Sequence, residues 1–385
     1  MAVSVGLIEG LIEELAPKAW AESWDNPGLL VGEGRGEVSG ILIAMDGVPE
    51  VVDEAAALGA ELIVAHHPLM FQPLRNLRGD NPAALVPLSL CRRGVAYVAA
   101  HTNLDQSPLS SSLAFGRALA LTGTDFLEPT GADSLFKIVV YTPPEQAEAL
   151  RQAMAAAGAG AGVTGGPHSA VYEECFFQTE GEGMFRPLPG AEPYSGRVGE
   201  LARVPETRLE SVTAAKNLNR VLQALRRTHP YEEPAYDVIP LANEGKRRGY
   251  GLFGRLPAAL PLSAARDNFL AALTAADSGL WAHRYDLSVI RWFGPPEHPV
   301  RRVAIANGSG NSLAAKAARR GADLFITGEL DYHHRLDCLS QNMAVAEMGH
   351  FLSEAPMLTA LANYLRGRRE LAGTAVSVSR QEARD

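Results

Sequence analysis

The chain has 385 residues, of which 46% are hydrophobic and 21% charged, and its formal net charge is −9. A chain of this length exceeds one typical hydrophobic core, so we expect two or three domains. The negative charge, without a local run of Lys and Arg, does not favour nucleic-acid binding, although a bound metal would let an acidic chain bind a phosphorylated small molecule.

The N-terminal segment MAVSVGLIEGLIEELAPKAW carries Glu9, Glu13 and Glu14 within an apolar pattern. This spacing predicts an amphipathic helix rather than a secretory signal. Apolar runs stay well short of the ~20 residues that a membrane-spanning helix needs. The three cysteines are far apart and form no CxxC pattern, which indicates reduced thiols. We therefore expect a soluble, cytoplasmic protein without a membrane partner.

The first third of the chain alternates short apolar runs with helical patterns. The predicted strands are 40–46, 61–65 and 95–100, and the predicted helices are 48–59 and 81–94. Each helix ends at a glycine, which is a common helix C-terminus. This β-α-β-α-β order implies a parallel sheet covered by helices.

The middle of the chain has a different order. The predicted strands are 136–143, 171–180, 208–214 and 235–241, and the predicted helices are 145–158 and 217–229. The β-α-β-β-α-β order is the ferredoxin-like plan. An Ala- and Gly-rich stretch at 155–168 and a loop-rich excursion at 181–199 interrupt it.

The last third returns to the first rhythm. Strands are predicted at 301–310, 322–329 and 343–348, and helices at 311–321, 331–341 and 353–369. The overall fold class is therefore α/β, with a central, mostly parallel sheet interrupted by an inserted α+β domain. We predict that residues 127–245 form the insert and that 1–126 and 246–385 are the two halves of the main domain, since insertions are tolerated at surface loops.

The strongest local signal for chemistry is the adjacent pair His66 and His67 at the end of the strand 61–65. Ligands of open α/β sheets bind at the carboxyl ends of strands. Neighbouring side chains of a strand point to opposite faces, but at a strand-to-loop transition they could serve two ions. A pair of ordinary surface histidines is the alternative.

Two further motifs follow predicted strands, and both have a four-residue spacing. His101 and Asp105 follow the strand 95–100, and His350 and Glu354 follow the strand 343–348. This spacing brings two side chains to one side of a turn, and a carboxylate can bridge two cations. The alternatives are that Asp105 caps a helix, that Glu354 faces a helix dipole, and that His101 orients Asp105 instead of binding metal.

Three such motifs at strand carboxyl ends favour a metal site over three coincidences. The donors are nitrogen and oxygen without thiolate, which suits zinc, iron, manganese or cobalt. The predicted ligands of two divalent ions are His66, His67, Asp105, His350 and Glu354.

Other polar segments lie at the ends of predicted strands or in turns. The loop 307–311, NGSGN, could hold a phosphate through its N–H groups or be a plain βα turn. Glu329 and His333 could line the same pocket, with His333 as a proton carrier. The turn at Asp25 and Asn26 has a structural interpretation and, as an alternative, a place at the metal rim.

These motifs together resemble the Nif-three-like dinuclear-metal family, the GTP cyclohydrolase I type 2 homologues, in its long form with a PII- or CutA-like insert. The matching segments are WDNPGLLVG (24–32), AHHPLMF (65–71), AHTNLD (100–105), ANGSG (306–310), ITGELDYHH (326–334) and GHFLSE (349–354), with HSAVYEECFFQTEGEGMFRP (168–187) and HPYEEPAYDV (229–238) in the insert. The family's metal ligands fall on the five residues named above. Glu329 stands where the family usually has Asp.

The resemblance implies a metal-dependent hydrolase of GTP, opened at its imidazole ring by metal-activated water, with zinc as the first choice of metal. It also implies a toroidal homohexamer. His101 falls beside the metals, and His101 and His333 are the predicted catalytic residues. The chain has no P-loop or dinucleotide fingerprint, so the metals, the loop 307–311 and the insert would have to hold a nucleotide or another phosphorylated molecule. The alternative function is a non-enzymatic metal-handling or regulatory ring whose insert senses a ligand.

Overall fold

The structure is a computed structural model that describes residues 2–162, 172–275 and 285–381. It divides into two compact units, one formed by residues 1–129 and 249–385 and the other by residues 130–248. The predicted insert, 127–245, begins and ends three residues earlier than the second unit. Part of the stretch 155–168 and the beginning of the insert segment 168–187 lie outside the described residues.

The first part of the chain contains short strands and helices in alternation. They are β1 (Val3–Ser4), α1 (Val5–Leu15), β2 (Gly28–Val31), β3 (Glu37–Val38), β4 (Gly40–Ala44), α2 (Pro49–Leu58), β5 (Leu62–Ala65), α3 (Leu85–Arg93), β6 (Ala96–Ala99), α4 (Thr102–Asp105), α5 (Ser111–Ala118), β7 (Thr122–Asp125) and β8 (Glu128–Ala132). The predicted N-terminal helix and the β-α-β-α-β order are confirmed. Gly59 and Gly94 end α2 and α3 with positive φ, as their positions predict.

The second unit and the rest of the chain follow. The elements of the second unit are β9 (Leu135–Thr142), α6 (Ala147–Ala156), β10 (Phe176–Phe185), β11 (Ala202–Ala214), α7 (Ala215–Thr228) and β12 (Tyr236–Leu241). The remaining elements are β13 (Arg247–Tyr250), β14 (Leu252–Pro261), α8 (Leu262–Thr274), β15 (Arg291–Phe293), β16 (Pro299–Ser309), α9 (Asn311–Arg319), β17 (Leu324–Glu329), α10 (Tyr332–Ser340), β18 (Ala344–Glu347), α11 (His350–Arg366) and β19 (Ala375–Val378). None of the described helices is long and apolar enough to cross a membrane.

The first unit contains two main sheets, which corrects the prediction of one central sheet. The first sheet has the order β19-β4-β5-β6-β2, with the first four strands parallel and β2 antiparallel to β6. The second sheet has the order β15-β18-β17-β16-β14-β7, and its three central strands, β16, β17 and β18, are parallel. The parallel strands of the first third and those of the last third therefore lie in different sheets, while β7 and β19 each pair with the sheet of the other third.

Helix α11 holds the two sheets together. It packs against β16 and β17 of the second sheet and against β4 and β19 of the first. Eleven of its 17 residues are buried, which is the pattern of a helix that is covered on nearly all sides. The strand β4 shows how the layers form, since Ile41 and Ile43 face the core that contains α11 while Leu42 and Ala44 face a second core on the other side.

The second unit is an antiparallel sheet with two helices. Its strand order is β10-β11-β9-β12. Residues of β9, β11, α6 and α7 form one buried cluster, for example Ile138, Leu209, Leu150 and Leu225. The strand β10 extends to Phe185, so the loop-rich excursion begins later than the predicted residue 181.

Candidate metal centre

The structure brings the five predicted ligands together in the first unit. His66 and His67 directly follow β5, Asp105 is the last residue of α4, and His350 and Glu354 lie one turn apart at the beginning of α11. Each segment follows the carboxyl end of a parallel strand, where side chains can leave the sheet and meet. Two ligand segments come from the first sheet and the third follows the second sheet, so the cluster depends on both.

One carboxylate oxygen lies at the centre of the cluster. Oε2 of Glu354 is 3.6 Å from Nε2 of His66, 3.2 Å from Nε2 of His67 and 3.4 Å from Nε2 of His350. Oδ1 of Asp105 is 3.9 Å from Nε2 of His66. Ligand atoms of one ion with tetrahedral bonds of about 2.0 Å stand about 3.3 Å apart. These separations therefore fit atoms that share a cation.

Three overlapping groups of side chains could each hold a metal ion. Within each group, one ligand atom per residue lies within 4.8 Å of the others. The groups are His66, Asp105 and Glu354; His67, His350 and Glu354; and His66, His67 and His101. Since Glu354 belongs to two of the groups, the arrangement has the form of two neighbouring cation sites around one carboxylate.

The three groups together form a cluster of four histidines, Asp105 and Glu354. Nδ1 of each histidine forms a hydrogen bond with a residue outside this cluster. The partners are the carbonyl oxygen of Ala100 for His66 (2.9 Å), Asp46 for His67 (2.7 Å), Asp25 for His101 (2.9 Å) and Glu329 for His350 (3.1 Å). An acceptor at Nδ1 fixes the proton on that nitrogen and leaves the lone pair on Nε2. Metal-ligating histidines are held in this way.

Burial makes this arrangement costly without a positive charge. Nε2 of His66 and Oε2 of Glu354 are buried and have no hydrogen-bond partner, and a buried polar atom without a partner destabilises a fold. Burial lowers the pKa of His67, but its hydrogen bond with Asp46 and the nearby carboxylate of Glu354 outweigh this and raise the pKa to about 10. The cluster therefore attracts protons or cations, and its nitrogen and oxygen donors fit divalent metal ions.

Comparison with known proteins identifies the family of this chain. The model of the family described as Duf34/NIF3 (NGG1p interacting factor 3) matches residues 3–384. The chain belongs to the DUF34/NIF3 family. It is 36% identical over 340 residues to a Halalkalibacterium halodurans protein named GTP cyclohydrolase 1 type 2 homolog, covering 88% of this chain and 86% of the relative. A Mycobacterium tuberculosis protein of the same name is 34% identical over 369 residues, covering 95% and 92%.

A solved structure supports the fold of this DUF34/NIF3 chain over its length. The Bacillus cereus protein related to NIF3 is 32% identical, with a TM-score of 0.82, and the match covers 98% of this chain and 97% of that one. The Staphylococcus aureus protein SA1388 is 25% identical, with a TM-score of 0.64, covering 98% and 96%.

Two alternatives from the sequence are wrong in this family member. Asp105 does not cap the following helix, because Ser110 is the residue before α5. Instead, Oδ1 of Asp105 accepts a 2.7 Å hydrogen bond from the side-chain amide of Asn307. The hydroxyl of Ser112 donates to Oδ1 of the same amide at 2.8 Å. Glu354 lies beyond the first turn of α11 and is buried, so the helix dipole does not explain its position.

Three N–H groups of the loop 307–311 are hydrogen-bonded within the fold, which favours the structural role over phosphate binding. The N–H groups of Asn307, Gly308 and Gly310 donate to Ser112, Ser353 and the carbonyl of Glu329, respectively. Those donors are therefore used within the fold. Gly308 has a φ of +62°, and a Cβ there would lie 2.4 Å from Oε1 of Glu354. This glycine lets the backbone approach the central carboxylate.

The residues that hold the histidines are harder to recognise from the sequence than the predicted ligands. Asp46 follows β4, and the signal that could have identified it is the same one that points to the ligands, a polar residue at the carboxyl end of a strand. Asp25 holds His101, and its hydrogen bonds with His101 and Thr102 outweigh burial and lower its pKa to about 2. Glu329, which stands where the family usually has Asp, forms a hydrogen bond with Nδ1 of His350 and therefore lies beside the cluster.

The two predicted catalytic histidines are in different surroundings. His101 belongs to one of the three groups that could hold an ion. His333 is exposed in the first turn of α10, where its ring contacts Tyr332, and it belongs to none of the groups found among the described residues.

Proposed function

We propose that this protein holds two divalent metal ions and hydrolyses a nucleotide or a related phosphorylated small molecule, with GTP as the first candidate. Glu354 would be shared by the two sites, with His66 and Asp105 holding one ion and His67 and His350 holding the other. Zinc is the first choice, and iron, manganese and cobalt suit the same donors. The observation that carries the proposal is the buried Oε2 of Glu354, which faces three Nε2 atoms whose rings are all fixed through Nδ1.

The two ions would supply an activated water and positive charge at the bond under attack. The protein's own part is to hold the ligands rigidly. Asp46 and Glu329 fix the rings of His67 and His350 through Nδ1, and Asn307 fixes Asp105. Such partners orient the ligands and keep the histidines in the tautomer that binds metal.

His101 is the better of the two candidates for proton transfer. Its Nδ1 forms a 2.9 Å hydrogen bond with Asp25, which holds the imidazole in a fixed orientation beside the predicted ligands. His333 stays the second candidate, and its exposed place on α10 makes it the weaker one.

The partial exposure of the ligands favours an enzyme over a closed metal-storage site. The side chains of His67 and His350 are 22% and 33% exposed, whereas that of Glu354 is 5% exposed. One side of the cluster is therefore open to a substrate, as catalytic metal sites require. The curated relatives are named GTP cyclohydrolase 1 type 2 homolog, and this name supports GTP as the first candidate.

The proposal extends to assembly, location and the second unit. We infer a toroidal homohexamer, which family membership supports and sedimentation velocity tests. The cysteines are free, which fits the reducing cytoplasm. The β-α-β-β-α-β order with the sheet order β10-β11-β9-β12 supports a ferredoxin-like, PII- or CutA-like insert.

The decisive experiment is metal analysis of purified variants. We expect Glu354→Ala and His67→Ala to lose bound metal while circular dichroism shows a folded protein, because the sheet cores lie elsewhere. The matched control is His334→Ala, which changes a histidine of α10 outside the three groups. Metal content equal to that of the wild type in either site variant would contradict the assignment.

A turnover assay then separates enzyme from regulator. Metal-loaded protein is incubated with GTP, other nucleotides and phosphoesters, with and without a chelator. We expect hydrolysis that the chelator and Glu354→Ala both abolish. Full metal occupancy without turnover of any of these compounds would instead favour the non-enzymatic ring.

A further inference from the structure

Two exposed aromatic side chains lie beside the candidate metal centre. Trp24 is 58% exposed and Phe71 is 47% exposed. Their ring centroids are 5.9 Å apart, with the planes tilted by 46°. We name this pair the aromatic platform.

The platform contacts a histidine of the cluster directly. The ring of His101 is 5.9 Å from that of Trp24 and 5.7 Å from that of Phe71. The same imidazole is 5.1 Å from the ring of His66 and 5.5 Å from that of His67. A ring placed on the platform would therefore lie one imidazole away from the predicted metal ligands.

The loops that carry the platform are fixed. The amide of Asn26 donates a 2.7 Å hydrogen bond to the carbonyl of Met70, which ties the residues next to Trp24 and Phe71 together. Asp25 accepts from the backbone N–H and the hydroxyl of Thr102 at 3.1 and 2.5 Å. Because these bonds involve the neighbours of the two aromatic residues, the platform is held in place before any ligand arrives, and binding costs little ordering.

Exposed aromatic residues alone have no functional meaning, and this chain has others. Phe177 on β10 is 63% exposed and Tyr332 on α10 is 62% exposed. Among the exposed large apolar side chains of the described residues, Trp24 and Phe71 are the two whose rings contact a histidine of the cluster. Their position, and not their exposure, distinguishes them.

We propose that the aromatic platform binds the planar aromatic ring of an anionic substrate by stacking, while the metal centre takes its anionic part. This inference rests on the proposed function and names its substrate class, a heteroaromatic ring that carries phosphate or carboxylate. Tryptophan and phenylalanine offer large, flat, rigid surfaces. Stacking of a base on one such ring changes binding about 5-fold to 100-fold.

The test uses two probes that differ only in the ring-bearing part, GTP and inorganic triphosphate. Binding to metal-loaded protein is measured by titration calorimetry for the wild type, Trp24→Leu, Phe71→Leu and the control Phe177→Leu. We expect each platform variant to raise Kd for GTP at least about 5-fold and to leave Kd for triphosphate unchanged. The control should match the wild type with both probes.

Three results would overturn the inference. They are equal weakening of both probes in the platform variants, unchanged GTP binding in both, and a wild type that binds GTP no better than triphosphate. A change of oligomeric state in Trp24→Leu, measured by sedimentation velocity, would identify the platform as a contact between copies of the chain and would also overturn it. Metal content is measured separately. A wild type that binds no metal would refute the proposed function, whereas the comparison of GTP with triphosphate tests the stacking on the platform.

Discussion

Replacing Gly308 by alanine tests the central place of Glu354 without touching a ligand. The added Cβ would lie 2.4 Å from Oε1 of Glu354, and ordinary contact begins at 3.4 Å. The carboxylate therefore has to move by about 1 Å, whereas metal–ligand distances tolerate about 0.2 Å. The backbone cannot easily yield instead, since the N–H of Gly308 donates to Ser353 at 2.8 Å.

The chain offers a matched control for the backbone part of this effect. Gly59 has a φ of +65°, close to the +62° of Gly308, but a Cβ there meets nothing within 4 Å. Alanine in this region costs about 1 kcal/mol at either position. We therefore expect both metal-free variants to lose this share of stability in urea unfolding, and Gly308→Ala to lose more, because its Cβ also displaces the carboxylate.

Only the Gly308 variant should also lose metal. A displaced ligand or ligand partner typically costs about 10-fold to 100-fold in metal affinity. The assay is a zinc titration against a competing chelator, with metal content after dialysis as a second readout. Wild-type zinc affinity in Gly308→Ala, or an equal loss in Gly59→Ala, would refute the reasoning.

Three further predictions concern Asn307, the removal of metal, and Asp323. Asn307→Ala removes the 2.7 Å hydrogen bond to Asp105, so we expect metal affinity to fall about 10-fold to 100-fold, measured by the same zinc titration. Chelation should lower the melting temperature of the wild type, because metal stabilises only the folded state, and should not change that of Glu354→Ala; equal shifts in both would contradict the site. Burial raises the pKa of Asp323, but hydrogen bonds from Arg302 outweigh it and lower the pKa. Its stabilising effect is therefore present above an unfolded-state pKa of about 3.9 and lost as pH falls through the lower folded-state value, so Asp323→Asn should be less stable than the wild type in urea at pH 7, with a gap that closes in acid.

The sequence predicts that the candidate ligand segments lie close together, and the structure brings them together, because each segment follows a local rule. A buried apolar run that ends in polar residues places those residues at the carboxyl edge of a sheet, and this rule holds for His66, His67 and Asp105. It does not reveal that two sheets are present, since the rhythm of strands and helices is the same for one sheet or two. The division appears only in the pairing of the strands.

The supporting residues were harder to predict because their partners are remote in sequence. Asp46 is 21 residues from His67, and Asp25 is 76 residues from His101. Nothing near Asp25 in the sequence indicates a histidine partner, and a polar turn is the ordinary interpretation of its surroundings. Such pairs can be recognised only when strand order and loop paths are known.

The packing of α11 fixes the backbone of one of the three segments that form the cluster. The helix packs between the two sheets, and its residues Phe351, Leu352 and Ala355 belong to the core that both sheets share. These three residues are the neighbours of His350 and Glu354 along the chain. The backbone positions of His350 and Glu354 are therefore set by neighbours that belong to that core. The fold therefore holds the central carboxylate against the histidines at a cost that hydrophobic burial offsets. A cation that entered the cluster would meet side chains already in place, so metal binding would not need to drive folding as it does in small zinc domains.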